Sequence, residues 1–292
     1  MRYGAFFPTA QIGNDPAVLK TFATSAEAMG YDYIAAPDHV IQSGTPADAG
    51  WRAQYTWDFP HHEPLLLFSF MAAVTERIRL QTAVLIVSQR PTVLVAKQAA
   101  ELDVLSGGRA ELGVGIGWNA LEFAALGQNF RDRGQRLSEQ VELLRALWTE
   151  DLVTFEGQWH QVESAGLAPM PVQRPIPIWV GAFEPPAVRR AGRIADGWLL
   201  NPRLGPDDED TTRLLEIFNT GAEEAGRPAG EARFGATIHL GDRGPNAWAD
   251  EAGAWRERGA SQITARTSQS GYTQARQHLE ALERFAAAVR ES

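Results

Sequence analysis

An aspartate and a histidine stand side by side at the end of an apolar stretch, in the segment AAPDHV (35–40). An imidazole ordinarily titrates near neutral pH, so His39 is suited to give or take the proton that accompanies a redox step. Asp38 has two readings: its carboxylate could bind a ligand, or it could accept backbone N–H bonds and order the loop that follows. The residues alone leave both readings open.

Alternate glycines occur in the segment GVGIGWN (113–119). Because glycine lacks Cβ, such a stretch lets a planar ligand or a phosphate approach the backbone, or lets two parts of the chain pack closely. The spacing is not the GxGxxG of dinucleotide-binding folds, and no acidic residue follows at the expected place. A nicotinamide dinucleotide is therefore disfavoured as the bound cofactor.

The chain has six histidines and no cysteine. Without cysteine it can form no disulfide, thiolate nucleophile, zinc–thiolate site or iron–sulfur cluster. His61 and His62 cluster early with Asp38 and His39, but the late strands lack the further histidines and carboxylates that a catalytic metal on a barrel would need. We therefore expect redox chemistry from a bound organic cofactor and no metal site.

Short β-like runs alternate with helix-like segments and would position these residues. The runs are YGAFFP, YDYIAAP, IRLQTAVLI, AELGVGIG, IWVGA, GWLL, RFGATIHLG and QITART. About eight strand–helix pairs predict an α/β fold of the (β/α)8 TIM barrel type. A doubly wound sheet is the alternative, but the chain has more strand–helix pairs near its carboxyl terminus than such a sheet would use. In a barrel, the residues after each strand meet at the carboxyl-terminal mouth.

Two irregular segments interrupt this alternation within a predicted single domain, residues 1–292. Loop 42–60 carries aromatic side chains among Gly, Pro and Ala, which favours an ordered active-site lid. Its Trp51, Tyr55 and Trp57 are the candidate substrate contacts. The second segment, 152–177, reads as a small hairpin followed by a proline-rich connection, and we expect both insertions at the mouth.

Composition and charge indicate which kinds of partner the protein can bind. With a net charge of −9 and no basic run, the chain lacks the clustered cations that nucleic acid binding requires. No stretch approaches about 18 uninterrupted apolar residues, so neither a membrane span nor a signal peptide is expected. A small-molecule substrate and a cytoplasmic location are the resulting expectations.

The ordered motifs resemble the luciferase-like monooxygenase superfamily, in its branch that uses coenzyme F420. The resemblance runs through EAMGYDYIAAPDHV, ELGVGIGWNALEFAALG, PMPVQRPIPIWVGA and RRAGRIADGWLL, and covers the first two-thirds of the chain. It implies a barrel that holds the deazaflavin ring at its mouth, with His39 as the catalytic proton donor or acceptor. The cofactor-binding residues that it implies are Asp38, Thr82, Ala83, Val84, Gly115, Gly117, Trp118, Asn119, Arg136, Arg174, Gly181 and Ala182.

The resemblance adds detail at three of these positions. It implies a non-proline cis peptide at Ala83-Val84, against the back of the ring. Gly181 and Ala182 match a phosphate-binding turn, in which relatives usually have two glycines. Trp118 stands where some sugar-phosphate-oxidising relatives carry a glutamate, which argues against that activity.

Three functions remain open. The first is hydride transfer between F420 and a small organic substrate such as an enone, imine, carbonyl or alcohol. The second is an FMN-dependent two-component monooxygenase on the same barrel, and the third is a non-catalytic flavin-binding barrel. The resemblance also implies a homodimer formed through barrel helices.

Overall fold

A closed parallel barrel forms the centre of the computed structural model, which describes residues 1–44, 56–228 and 232–291. The barrel strands are β1 (Arg2–Phe6), β2 (Tyr33–Ala36), β3 (Arg79–Thr82) with its continuation β4 (Leu85–Ile86), β5 (Ala110–Gly115), β8 (Ile178–Gly181), β9 (Gly197–Leu199), β10 (Arg233–His239) and β11 (Gln262–Arg266). Strand β1 pairs with β2 and β11, and β3 pairs with β5, which closes the ring. The predicted (β/α)8 TIM barrel is confirmed.

Helices follow the strands and pack outside the ring. They are α1 (Pro16–Ala28), α2 (Pro64–Ala72), α3 (Thr92–Ser106), α4 (Ala120–Ala125), α5 (Arg133–Thr149), α6 (Pro185–Ile194), α7 (Glu209–Glu224), α8 (Pro245–Glu257) and α9 (Ala275–Glu291). Local sequence explains several ends: Asp15 caps α1 through the N–H of Ala17, and Gly107 ends α3 with φ of +68°. The short α4 was not predicted from the sequence.

Most of the apolar core lies between the strands and the surrounding helices, in one continuous cluster. Among the described residues, five tryptophan side chains are fully buried: Trp148, Trp179, Trp198, Trp248 and Trp255. A smaller cluster of Phe6, Tyr33 and Ala35 packs against Ala83. Apolar side chains thus pack on both the outer and the inner face of the barrel strands. The strand ends therefore provide a rigid frame for the residues that follow them.

The two parts of segment 152–177, the hairpin and the proline-rich connection, lie in different places. Strands β6 (Val153–Glu156) and β7 (Gln161–Ala165) form the expected hairpin. Glu139 of α5 anchors its turn by accepting N–H bonds from Gln158, Trp159 and His160. The proline-rich connection 169–177 instead leads into the amino end of β8. It therefore lies at the opposite end of the barrel from the mouth.

Among the described residues, no helix is both long and apolar enough to cross a membrane.

Candidate active site

Asp38 is buried at the end of β2 and is bound by the protein itself. One carboxylate oxygen accepts from the Arg90 guanidinium at 2.7 Å and the other from the N–H of Ile86 at 2.9 Å. Burial raises the pKa of Asp38, and the Arg90 charge and the Ile86 N–H offset part of this effect. With no exposed side-chain surface, the carboxylate ties β2 to β4 and is not available to a ring edge. The geometry favours the ordering role over the implied cofactor contact.

His39 lies beside Asp38 at the mouth and contacts a buried glutamate. Its Nδ1 is 3.0 Å from Oε2 of Glu122, which lies on α4. The other oxygen, Oε1, accepts the N–H of Val40 at 2.7 Å and that of Ile41 at 3.4 Å. Sequence reasoning missed Glu122. The available signal was the spacing Asn119-x-x-Glu122, which is typical of a helix amino terminus, and Asn119 does cap α4.

Aromatic rings surround the imidazole of His39. Its centroid lies 4.8 Å from that of His61 and 5.4 Å from that of Trp118, both edge-on. Phe59 also packs against His61, with ring centroids 4.7 Å apart. Burial, with a smaller effect from the neighbouring His39, lowers the pKa of His61 to about 3. His61 is therefore neutral near pH 7, and the cluster forms an uncharged aromatic wall beside His39.

The third barrel strand is interrupted where the resemblance implies. Ala83-Val84 is a non-proline cis peptide, and both residues are partly exposed. Just before it, the Thr82 side chain is buried, and its hydroxyl donates to the carbonyl of Gly113 at 2.7 Å. The Thr82 hydroxyl is therefore used between strands, whereas Ala83 and Val84 present surface at the mouth.

The glycines near this junction make room for the chain itself. A Cβ on Gly113 would lie 1.9 Å from the Thr82 carbonyl oxygen, and a Cβ on Gly115 would lie 2.6 Å from Val84 Cγ2. Gly181 is similarly close to Val84, at 2.8 Å. The alternation therefore reflects close packing of β5 and β8 against the β3–β4 junction. Of the two readings of the motif 113–119, close packing of the chain accounts for Gly113 and Gly115.

The residues after β5 and β8 lie at the mouth. Gly117 has φ of +70°, and a Cβ there would lie 2.6 Å from Ile86 Cγ2. The Asn119 side chain holds the preceding loop, since its Nδ2 is 3.4 Å from the Ile41 carbonyl. The Ala182 carbonyl accepts from Trp198 Nε1 at 2.9 Å. Their contacts with a cofactor stay predictions.

The two arginines implied as contacts for an anionic tail lie far apart. Arg136 is buried on α5 and donates to the carbonyls of Ser88 and Asn129 and to Gln128. Arg174 is exposed in the connection that precedes β8. Its neighbour Gln173 bonds Asp103 and Arg79 at the amino ends of the strands, so Arg174 lies away from the mouth. We leave Arg174 out of the candidate site.

The predicted substrate contacts fall in loop 42–60. Trp51 and Tyr55 lie outside the described residues. Trp57 is 72% exposed, next to the bridge that pairs Ser43 with Thr56. Within the described ranges, no group of three or more histidines and carboxylates is arranged to hold a metal ion.

Comparison with known proteins identifies the family. The family described as luciferase-like monooxygenase matches residues 1–291. The chain belongs to the luciferase-like monooxygenase family. The predicted family and its oxidoreductase class are confirmed.

Relatives of this luciferase-like chain include proteins of unknown and known activity. An uncharacterized protein of Mycobacterium tuberculosis is 35% identical over 229 residues, which are 76% of this chain and 77% of that protein. An F420-dependent glucose-6-phosphate dehydrogenase of Kineococcus radiotolerans is 36% identical over 220 residues, which are 74% of this chain and 61% of the relative.

Solved structures share the luciferase-like fold at low identity. An F420-dependent secondary alcohol dehydrogenase in complex with an F420-acetone adduct superposes with a TM-score of 0.79 at 17% identity, over 99% of both chains. The monooxygenase RslO1 from Streptomyces bottropensis gives 0.76 at 20%, over 100% of this chain and 99% of that one. At these identities the likeness extends to the fold alone.

Proposed function

We propose that this protein transfers a hydride between coenzyme F420 and a small organic substrate that is an enone, imine, carbonyl or alcohol. The observation that carries the proposal is His39, held at the mouth against buried Glu122 and walled by aromatic rings. Two F420-dependent glucose-6-phosphate dehydrogenases that are 36% and 34% identical to this chain support the choice of cofactor.

The mouth has groups that fit a deazaflavin ring. Gln89 follows β4, is 1% exposed, and neither polar atom of its amide has a hydrogen-bond partner. An amide both donates and accepts, as the pyrimidinedione edge of such a ring requires. Ala83, Val84, Gly117 and Trp118 would provide the surface around the ring.

Helix α6 provides few donors for the anionic part of the cofactor. It begins with Pro185 and Pro186, which have no N–H, and the next two N–H groups both donate to the Glu184 carbonyl. An anionic group near Gly181 and Ala182 would therefore depend on the backbone of the 182–184 turn. This turn is the contact that we propose.

When bound, coenzyme F420 supplies hydride chemistry without a metal or a thiol. The protein's own residues handle the proton: His39 holds it at the imidazole and exchanges it with the substrate oxygen, nitrogen or carbon that needs it. His61 and Trp118 exclude water from the sides of the imidazole. The Asp38–Arg90 pair fixes the backbone from which His39 projects.

Cofactor binding tests the choice directly. The purified protein is titrated separately with F420 and with FMN, and quenching of cofactor fluorescence is followed. We expect saturable binding of F420. Tight binding of FMN with none of F420 would favour the two-component monooxygenase instead, and binding of both without turnover would favour a non-catalytic flavin-binding barrel.

Turnover tests the role of His39. In His39→Ala we expect cofactor affinity to stay near that of the wild type while hydride transfer slows by about 10²-fold or more, the usual contribution of a general acid or base. His160→Ala is the control, because His160 also contacts a glutamate but lies in the hairpin. Oxidation of reduced F420 is followed against a panel of enones, quinones, imines and aldehydes. Unchanged turnover in His39→Ala would remove it from the mechanism.

We also propose that two copies pair through helices α2 and α3. These neighbouring helices expose large apolar side chains, namely Leu66, Phe70, Leu94 and Leu105. Solution mass is measured by light scattering for the wild type and for Leu66→Asp. We expect a dimer and a monomer respectively, and a monomeric wild type would refute the proposal. The cytoplasmic location expected from the sequence stays a prediction.

A further inference from the structure

Glu122 is fully buried on α4 and faces three nitrogen atoms of one short segment. Its Oε1 accepts from the backbone N–H groups of Val40 and Ile41, and its Oε2 contacts His39 Nδ1. Backbone N–H groups can only donate, so they fix the orientation of the carboxylate. The remaining oxygen then faces the imidazole at 3.0 Å.

This contact determines which ring nitrogen carries hydrogen. A carboxylate offers only acceptors, so Nδ1 of His39 must be the donor. In the neutral ring the lone pair is then on Nε2. We propose that Glu122 is a positioning residue that holds His39 in its Nδ1–H tautomer and so makes Nε2 the atom that gains and loses the proton. This inference rests on the proposed role of His39 in proton transfer.

The same residue sets where the ring lies. Because one carboxylate holds both the imidazole and the backbone of the next two residues, the ring cannot rotate without breaking a bond to buried oxygen. Asn119, at the start of α4, adds a contact to the Ile41 carbonyl. His39 is thus fixed between His61 and Trp118, with Nε2 as its exchanging atom.

Glu122→Gln inverts this arrangement with almost no change in shape. The amide has one oxygen and one NH2 group. Its oxygen must face Val40 and Ile41, because an NH2 group there would meet two donors. The NH2 group then faces His39 Nδ1, which has to accept. We therefore expect the substitution to move the ring hydrogen to Nε2, which removes the lone pair from the exchanging atom.

The chain contains a matched control in Glu139. Glu139 accepts the backbone N–H groups of Gln158, Trp159 and His160, and its Oε1 lies 2.7 Å from His160 Nδ1. Glu139 also binds backbone N–H groups and one imidazole, but this imidazole lies in the β6–β7 hairpin and shares Oε1 with the N–H groups of Trp159 and His160. In Glu139→Gln the amide oxygen can keep these three contacts, so the variant should leave the tautomer of His160 unchanged.

The test is 15N NMR of the histidine ring nitrogens in protein labelled at histidine, above the pH at which the rings protonate. Signals of His39 and His160 are assigned from His39→Ala and His160→Ala. We expect wild-type His39 as the Nδ1–H tautomer and Glu122→Gln as the Nε2–H tautomer, with turnover lower by about 10²-fold and near-normal cofactor affinity. Glu139→Gln should keep wild-type turnover.

The measurement on the wild type needs no variant to fold. An Nε2–H tautomer of His39 in the wild type would overturn the inference, and so would a shifted tautomer in Glu122→Gln with unchanged turnover. Equal loss of turnover in Glu139→Gln would assign the effect to general destabilisation and would also overturn it. Because the tautomer is read on the protein alone, failure to bind F420 would refute the proposed function without changing this result.

Discussion

The two ends of the barrel both bury a carboxylate, but they surround it differently. At the amino-terminal end, Glu111 of β5 has one oxygen shared by Arg2 and Arg79, at 2.6 and 2.5 Å. The other oxygen accepts from Gln81 at 2.9 Å, and Gln262 joins Gln81 to Arg2. Every partner is a side chain of a barrel strand. The network closes the floor of the barrel.

At the mouth, the carboxylates accept backbone N–H groups as well as side-chain donors. Asp38 accepts from Arg90 and a backbone N–H of β4, and Glu122 accepts from His39 and two backbone N–H groups. Buried polar atoms without partners also occur at this end, in Gln42, His62 and Gln89. No such atom belongs to the five side chains of the floor network.

The floor of the barrel serves the stability of the fold, and the mouth provides groups that can bind a ligand. At the floor, fully paired charges hold strands that are far apart in sequence. At the mouth, the charges set the backbone of the loops, and buried groups are left that can be satisfied only by something that binds. Barrels allow this separation because the residues at one end of the strands can change without affecting those at the other end.

The largest effect on stability is expected at the floor. Glu111→Ala leaves Arg2 and Arg79 facing each other without their carboxylate. Breaking a buried pair commonly costs 3–5 kcal/mol, and the partial exposure of both arginines reduces this to about 3 kcal/mol. Denaturant unfolding measures it, while turnover per folded molecule should stay unchanged. Glu224→Ala, which removes an exposed pair with Arg189, is the control and should change stability little. A loss below about 1 kcal/mol for Glu111→Ala would contradict the assignment.

The second effect tests the packing of glycines against the β3–β4 junction. Gly115→Ala should destabilise the protein by about 2 kcal/mol, because its Cβ would meet Val84 at 2.6 Å. Val84→Ala removes the atom that it meets. In the double variant, therefore, most of the loss from Gly115→Ala should be recovered. Additive losses in this cycle would show that the glycine serves another purpose.

The sequence predicted the barrel because each strand and each helix has a local pattern of apolar residues that can be recognised without knowing its partners. The apolar run IRLQTAVLI, residues 78–86, matches β3 and β4 with the cis peptide between them. The contacts of the site could not be predicted in the same way. Glu122 meets His39 across 83 residues, and Glu111 meets Arg2 across 109, so neither pairing leaves a local pattern.

The glycine motif shows the limit of a pattern most clearly. Alternate glycines are compatible with a bound ligand or with close packing, and only the position of Val84 decides between them. Asp38 is similar, because the sequence cannot show that Arg90 reaches its carboxylate across 52 residues. Both readings of each motif were physically sound. The choice depended on which side chain fills the space.

The third effect is a pH dependence of the free energy of unfolding, which arises from His61 at the mouth. The pKa of His61 is lowered to about 3 by burial and by His39, whereas a free histidine titrates near 6.5. Below 6.5 the unfolded chain gains a proton that the folded chain does not, so stability is full above pH 6.5 and falls as the pH drops toward 3. Between pH 7.5 and 5.0 we expect His61 to contribute a loss of about 1–2 kcal/mol, which His61→Phe should remove, whereas the loss from buried His278, whose pKa burial lowers to about 4, should remain. The arginines of the floor keep their charge throughout this range. An equal loss in both proteins would place the titrating group elsewhere.

The smallest effect on stability is expected at an exposed residue of loop 42–60. Trp57 is 72% exposed, so Trp57→Ala should change the free energy of unfolding by less than about 0.5 kcal/mol. If Trp57 contacts the substrate as the sequence predicts, KM should rise while kcat and F420 affinity stay near those of the wild type. Leu152→Ala, at 64% exposure beside the hairpin, is the matched control and should alter neither KM nor stability. An unchanged KM across the substrate panel would remove Trp57 from the site. A marked loss of stability would instead show that this part of the mouth, like the floor, serves the fold.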